Sequence, residues 1–295
     1  MHKDQKTQNS GVQRTVARIV EPEPVVEGAG VKLRRSIASR ALDYVDPFLL
    51  LDDFRSRNAA DFVAGFPMHP HRGIETVTYL LDGLVRHRDS IGNAGDITAG
   101  DVQWMTAGRG ILHEEMPQRH NGILEGFQLW VNLPAKDKMM KPRYQDVPAA
   151  RIPEIDRPNG IHIRVVAGKV DGVPGPVTDI VADPLFLDVT IPPHSSFVQV
   201  IERGHTALAY VFEGAGTFGV ADGGAGTDIA ATQLAIFADG DLLEVQTDDA
   251  GVRFLLIAGK PLHEPVARYG PFVMNTHEEI LQTLKELRAG TFPPV

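Results

Sequence analysis

No cysteine occurs in the 295 residues, so neither a disulfide staple nor a thiolate metal site is available to this chain. No apolar run approaches the roughly 20 residues that a membrane-crossing helix needs, and no apolar segment of signal-peptide type follows the N-terminus. Basic charge is in deficit. The 29 Lys and Arg against 38 Asp and Glu leave a net charge of −9, which disfavours non-specific attraction to nucleic acid or to an anionic membrane. The lack of cysteine permits the cytoplasmic setting we expect, and the charge leads us to expect no direct contact with nucleic acid or membrane; we also expect a monomer.

What remains is ordinary globular material, 43% apolar and 23% charged, on a chain long enough for two domains. Residues 1–13 are polar, with almost nothing to bury, and read as a disordered tail. Short runs rich in strand formers follow, separated by Gly-rich turns such as Asp82-Gly83, Gly92-Asn93 and Ala107-Gly108-Arg109-Gly110. Even spacing of this kind predicts an all-β closed or jelly-roll architecture over residues 14–135. Residues 136–160 carry Pro142, Pro148, Pro153 and Pro158, which prevent long regular elements, and read as a linker.

Strand-like runs resume over residues 161–275. There Tyr210-Val211-Phe212-Glu213-Gly214 occupies the place that Tyr79-Leu80-Leu81-Asp82-Gly83 holds in the first half, so the two halves read as a repeated barrel. Residues 276–295 close the chain. Thr276 with Glu279 three positions on forms a capping-box pattern, Ile280, Leu281, Leu284 and Leu287 make a helical apolar stripe, and Gly290 ends it.

The chemistry concentrates between Phe66 and Pro117. His69-Pro70-His71 and His113-Glu114-Glu115 each place two ligand-type side chains at i and i+2, on one face of an extended strand. Pro70 biases the first pair toward extended geometry. If the strands face one another inside a barrel, His69, His71, His113 and Glu115 converge as three nitrogens and a carboxylate oxygen. Such a set suits one divalent transition metal, with Fe(II), Ni(II), Mn(II), Cu(II) and Zn(II) all admissible. Phe66, Met68, Trp104, Met105, Phe127, Leu129 and Trp130 surround the ligands, most as core and some as walls of an apolar cleft.

The runs HPHRGIETVTYLLDG (His69 to Gly83) and GDVQWMTAGRGILHEEMP (Gly100 to Pro117) resemble the metal-binding core of the pirin family, within the cupin superfamily. The resemblance extends to Val31–Ile37, Asp46–Phe54, Pro261–Pro265 and Gly270–Thr276, and so covers roughly residues 15 to 290. It implies a bicupin, with two cupin-type jelly-roll barrels and a short C-terminal helix packed back on the first barrel. It also implies that His69, His71, His113 and Glu115 are the ligands of an Fe(II) centre, with Glu115 also the candidate base. The general cupin pattern offers Glu75 as a rival carboxylate ligand. The pirin resemblance favours Glu115 and leaves Glu75 as a group beside the metal or a second proton acceptor.

No His-x-His precedes Tyr210, so the second barrel is expected to hold no metal. Family members similar to this chain are quercetin 2,3-dioxygenases, which cleave a flavonol with dioxygen and release carbon monoxide. The alternative the resemblance carries is a metal-binding regulatory protein acting on a transcription factor or a metabolic enzyme.

Overall fold

The computed structural model describes residues 11–118, 121–221 and 224–293. Among them almost every element is a short antiparallel strand, and the single α-helix is His277–Arg288. Two β-barrels stand side by side. In the first, a seven-stranded sheet centred on Ile74–Asp82 and Glu125–Asn132 faces a four-stranded sheet ordered Phe66–His71, Ile111–Pro117, Leu84–Asp89, Ala94–Thr98. The second is a ten-stranded sheet wound around Thr206–Phe218 and Val252–Gly259. The chain is therefore all-β with two barrels and a C-terminal helix.

The two interiors differ. The second barrel is filled by apolar side chains, among them Ile163, Leu187, Phe197, Phe218, Phe254 and Leu256, and the aromatic rings pack edge to face. A third apolar cluster lies between the barrels and joins Val77, Tyr79, Trp104, Phe127 and Leu129 of the first to Phe186, Leu208, Tyr210 and Leu255 of the second. Strand parity explains this division. Along Ile74–Asp82, Val77 and Tyr79 point to the neighbouring barrel, while Ile74 packs with Leu49, Met105 and Ile111 on the other face.

The domain boundaries differ from the expected ones, because strand pairing crosses them. Val16–Val20 is an edge strand of the second barrel, paired with Leu234–Phe237, although it begins the chain. Just before it, Gln13 bridges Leu242 and the Val12 amide donates to Asp241, so residues 11–13 are part of the fold. Residues 1–10 of the expected tail lie outside the described residues. The expected linker is also divided between the barrels. Arg143–Val147 pairs with Val102–Thr106 of the first barrel, and Glu154–Arg157 with Ile161–Ala167 of the second. Prolines at the ends of these strands leave the ladders intact, which is why proline content misled.

The helix begins with the capping box expected for it: Thr276 Oγ1 accepts from the Glu279 amide, and the Glu279 carboxylate accepts from the Thr276 amide. It lies on the first barrel. Buried Arg72 donates to Thr283 Oγ1 at 2.8 Å, to Glu286 at 2.6 Å and to the Arg109 carbonyl at 2.7 Å. Lys138, equally buried, donates to the Gly73 and Val273 carbonyls and to Asn132 Oδ1. Two internal cations thus bind the turn after His71 to the C-terminal segment. Gly73 needs its positive φ of 78°, and a Cβ there would meet the Val273 oxygen at 1.9 Å.

Candidate metal centre

The strand Ile111–Pro117 carries the second pair of ligand-type residues and lies antiparallel to Phe66–His71, which carries the first. His113 pairs directly with His69, and Ile111 with His71. Side chains at directly opposed positions share a face. The three imidazoles therefore meet inside the barrel, with ring centroids 4.9 Å apart for His69 and His71, 4.5 Å for His69 and His113, and 5.0 Å for His71 and His113. One ring nitrogen from each lies within 4.8 Å of the other two.

The environment suits a cation. His113 is 1% exposed, and both its ring nitrogens are buried without a hydrogen-bond partner, as is Nδ1 of His71. A polar atom buried in this way costs on the order of 1–3 kcal/mol unless something binds it. A metal takes one nitrogen from each ring, so an ion among the three rings would relieve one of the two on His113, and His71 would offer Nε2, which lies 3.1 Å from His69 Nε2. Burial holds both His71 and His113 well below the usual imidazole range, with repulsion between neighbouring histidines adding to it. Both rings are accordingly neutral and able to offer a lone pair.

Glu115 lies on the wall of the same cavity but stands off from the three nitrogens. Its carboxylate joins no cluster with them within that distance, and its Oε1 instead accepts from Thr78 Oγ1 at 2.9 Å. The cause is a register shift. After the His113–His69 pair the strand slips by one residue, so that Glu115 faces Phe66 and not Pro67. Glu114 points outward, as parity requires, to Arg88.

The expectation for Glu75 does not hold. The cupin pattern needs Glu75 on the same face of the strand as His71, but Arg72-Gly73 turns the chain from the four-stranded sheet into the seven-stranded one. Glu75 consequently shares a face with Val77 and Tyr79, away from the metal cavity. There its carboxylate accepts from Thr106 Oγ1 at 2.6 Å, and burial raises its pKa.

The cavity over the histidines has a volume of about 390 Å³, and His69, His71 and Glu115 are among the residues that line it. Trp130 forms one wall, its indole edge to face with His71 at 5.0 Å, and Phe54, Phe66 and Leu33 line the cavity as well. Trp130 and Phe66 were expected near the site. Thr78, Gln128, Arg35, Asp52 and Arg268 were not. Thr78 could have been suspected as a hydroxyl set between Val77 and Tyr79 in the middle of a strand. Arg268 comes from a distant part of the chain, and no local pattern marks it. In the second barrel Asp183, Glu202 and His205 approach one another near the surface with a single imidazole among them.

Comparison with known proteins agrees with this architecture. Residues 30–131 match the Pirin family model, and residues 186–293 match the model of the Pirin C-terminal cupin domain. The chain is 42% identical to human pirin over 264 residues, covering 89% of this chain and 88% of that protein. It superposes on the crystal structure of a quercetin 2,3-dioxygenase from Acinetobacter baumannii with a TM-score of 0.85 at 34% identity, covering 95% of this chain and 98% of that one. It also shares its fold with the Escherichia coli pirin YhhW, solved in complex with nickel(II), at a TM-score of 0.63 and 20% identity, over 83% of this chain and 99% of that one. With both barrels matched and the histidine cluster inside the first, the chain is a member of the pirin family.

Proposed function

We propose that the protein is a metal-dependent dioxygenase that opens the ring of a flavonol such as quercetin and releases carbon monoxide. The observation that carries this reading is the trio of His69, His71 and His113, two of which, His69 and His71, line an aromatic-walled cavity together with Glu115. The solved quercetin 2,3-dioxygenase that resembles this chain along nearly its whole length supports the substrate class. His69, His71 and His113 would hold the metal and Glu115 would complete the donor set. When bound, Fe(II) or a neighbour in its series supplies a Lewis-acidic, redox-active position for a chelating enolate and for dioxygen.

The protein's own groups do the rest. Trp130 and Phe66 flank a flat substrate and exclude water. Glu115 accepts the proton of the substrate hydroxyl, and Thr78 orients the carboxylate by donating to Oε1. The neutrality of His71 and His113 leaves their lone pairs free to coordinate, and not repel, a cation. The test is anaerobic loading with Fe(II) followed by quercetin and oxygen. Loss of the flavonol absorption with carbon monoxide release is expected, and both vanish in His69→Ala. A fully loaded protein that turns over none of several flavonols overturns the reading and leaves a regulatory role for the metal.

A further inference from the structure

Three arginines approach the cavity or its surroundings, and their charges are compensated unequally. Arg72 is held by Glu286 and Thr283 beneath the helix. Arg35 grips Asp52 through Nε at 2.8 Å and Nη2 at 2.7 Å, and reaches Glu27 through Nη1 at 2.7 Å. Arg268 lines the cavity and pairs with no carboxylate among the described residues. It donates through Nη1 to the Leu49 carbonyl at 3.1 Å and, at 3.4 Å, through Nε to the Gly270 carbonyl. A guanidinium has five N–H donors. Two are used in these bonds, which leaves three without a partner on the protein.

The position of this fork is set by Trp130. The guanidinium carbon stands 5.3 Å from the centre of the Trp130 ring, and the same indole meets His71 at 5.0 Å. This cation–π contact and the two carbonyl bonds hold the fork over the indole. One flat wall of the cavity thus runs from the histidine cluster to a positive charge without an ion-pair partner among the described residues. The carboxylates lining the cavity are otherwise engaged: Glu27 and Asp52 by Arg35, and Glu115 by Thr78 at the histidine end. Burial first, and then the nearby Arg35, lower the pKa of Arg268 against the opposing pull of Asp43, Asp52 and Glu27, none of which forms an ion pair with it.

We propose that Arg268 is a specificity residue that binds an anionic group, a carboxylate, sulfonate or ionised phenol, at the end of an aromatic ligand remote from the histidine cluster. Insofar as the ligand is a flavonol-like enol, the inference rests on the dioxygenase reading. The recognition of an aromatic anion by Arg268 stands on the cavity wall alone. An aromatic lying along Trp130 places its metal-chelating oxygens at one end and its anionic group at the other, where a planar fork can take it through two hydrogen bonds.

Two pairs of probes test this and separate it from the reading it extends. Binding is followed by quenching of tryptophan fluorescence, to which Trp130 on the cavity wall responds over a constant background from Trp104 between the barrels. Metal-loaded protein is titrated with 3-hydroxyflavone and with its 4′-carboxylate, and metal-free protein at pH 8 with 2-naphthamide and 2-naphthoate. We expect each carboxylate to bind about tenfold tighter than its neutral partner, the size of one charge-assisted hydrogen bond. In Arg268→Gln that preference disappears with the neutral ligands unchanged, and in Arg268→Lys part of it returns. A preference for naphthoate that Arg268→Gln abolishes, in a protein that turns over no flavonol, removes the dioxygenase reading and keeps the anion site. Equal affinity of wild type for both members of the naphthyl pair overturns the proposal without recourse to any variant, and so does a preference that survives Arg268→Gln.

Discussion

The phenol of Tyr79 donates to Asp188 Oδ2 at 2.6 Å across the junction of the two barrels, and Tyr210 returns the arrangement by donating to Asp53 Oδ2 at 2.8 Å. Each aspartate is in turn held by an arginine of its own barrel through two nitrogens, Asp53 by Arg55 and Asp188 by Arg253. The repeat visible as Tyr79 and Tyr210 at matching places in the sequence is therefore a pair of reciprocal locks. Burial, and after it the facing aspartate, raise both phenol pKa values, which keeps the hydroxyl protonated and donating.

Removing one lock tests its strength. Tyr79→Phe leaves the Asp188 charge with Arg253 alone and should cost about 1.5–3 kcal/mol, the usual worth of a hydrogen bond to a charged group. Urea unfolding measures the loss. Metal content should be unchanged, because Tyr79 faces away from the histidine cavity.

Metal stoichiometry tests the two-barrel asymmetry. Elemental analysis after loading and desalting should give about one ion per chain, falling to near zero in His113→Ala. Chelation of the wild type should lower its melting temperature, since a ligand at 100 times its Kd stabilises by about 2.7 kcal/mol. Two tightly held ions would contradict the single-site reading.

Glu115→Gln separates proton transfer from substrate binding. The amide preserves the volume and can still meet Thr78, but it accepts no proton. A fall in kcat of about 10²–10⁴ with a small change in KM is expected from steady-state kinetics under matched metal loading. Glu75→Gln should leave kcat near wild type, because its carboxylate lies on the opposite face with Thr106.

Lys138 gives a pH-dependent stability of known sign. Burial lowers its pKa from the ordinary value to about 8, against the opposing pull of Glu264 and Glu279. Between about 8 and 10.5 the unfolded chain holds this proton more firmly than the folded one, so raising the pH through that interval stabilises the fold, by about 3 kcal/mol at most. Below pH 8 the gain is absent. Comparing urea midpoints of wild type and Lys138→Met from pH 7.5 to 10.5 cancels the other titrations, and the difference should drift in favour of wild type. A flat difference would refute the assignment.

Local chemistry was legible along the chain wherever a period or a cap decided it. The alternate-residue pairs His69 and His71, and His113 with Glu115, stand on strands because Pro70 and strand-forming neighbours favour extension. The capping box of Thr276 and Glu279 formed as its spacing requires. The polar character of the first barrel's interior also follows from residue types, since histidines on strands must face either solvent or a cavity that can use them.

Relations between distant segments were decided by the tertiary structure. Side-chain alternation carries only as far as one strand continues, so the turn at Arg72-Gly73 takes Glu75 away from the place the cupin pattern gave it, and the one-residue slip after His113 set Glu115 back against Thr78. Val16–Val20 looked like the opening strand of the first barrel, yet edge pairing with Leu234–Phe237 placed it in the second. Arg268 reached the cavity because the C-terminal segment crosses back over Trp130. The sequence by itself determined which donors exist and which face of a strand they share, because side-chain alternation is local. Only the closed barrels determined which faces meet, because strand partners hundreds of residues apart are selected by packing and by the pairing of every buried backbone group.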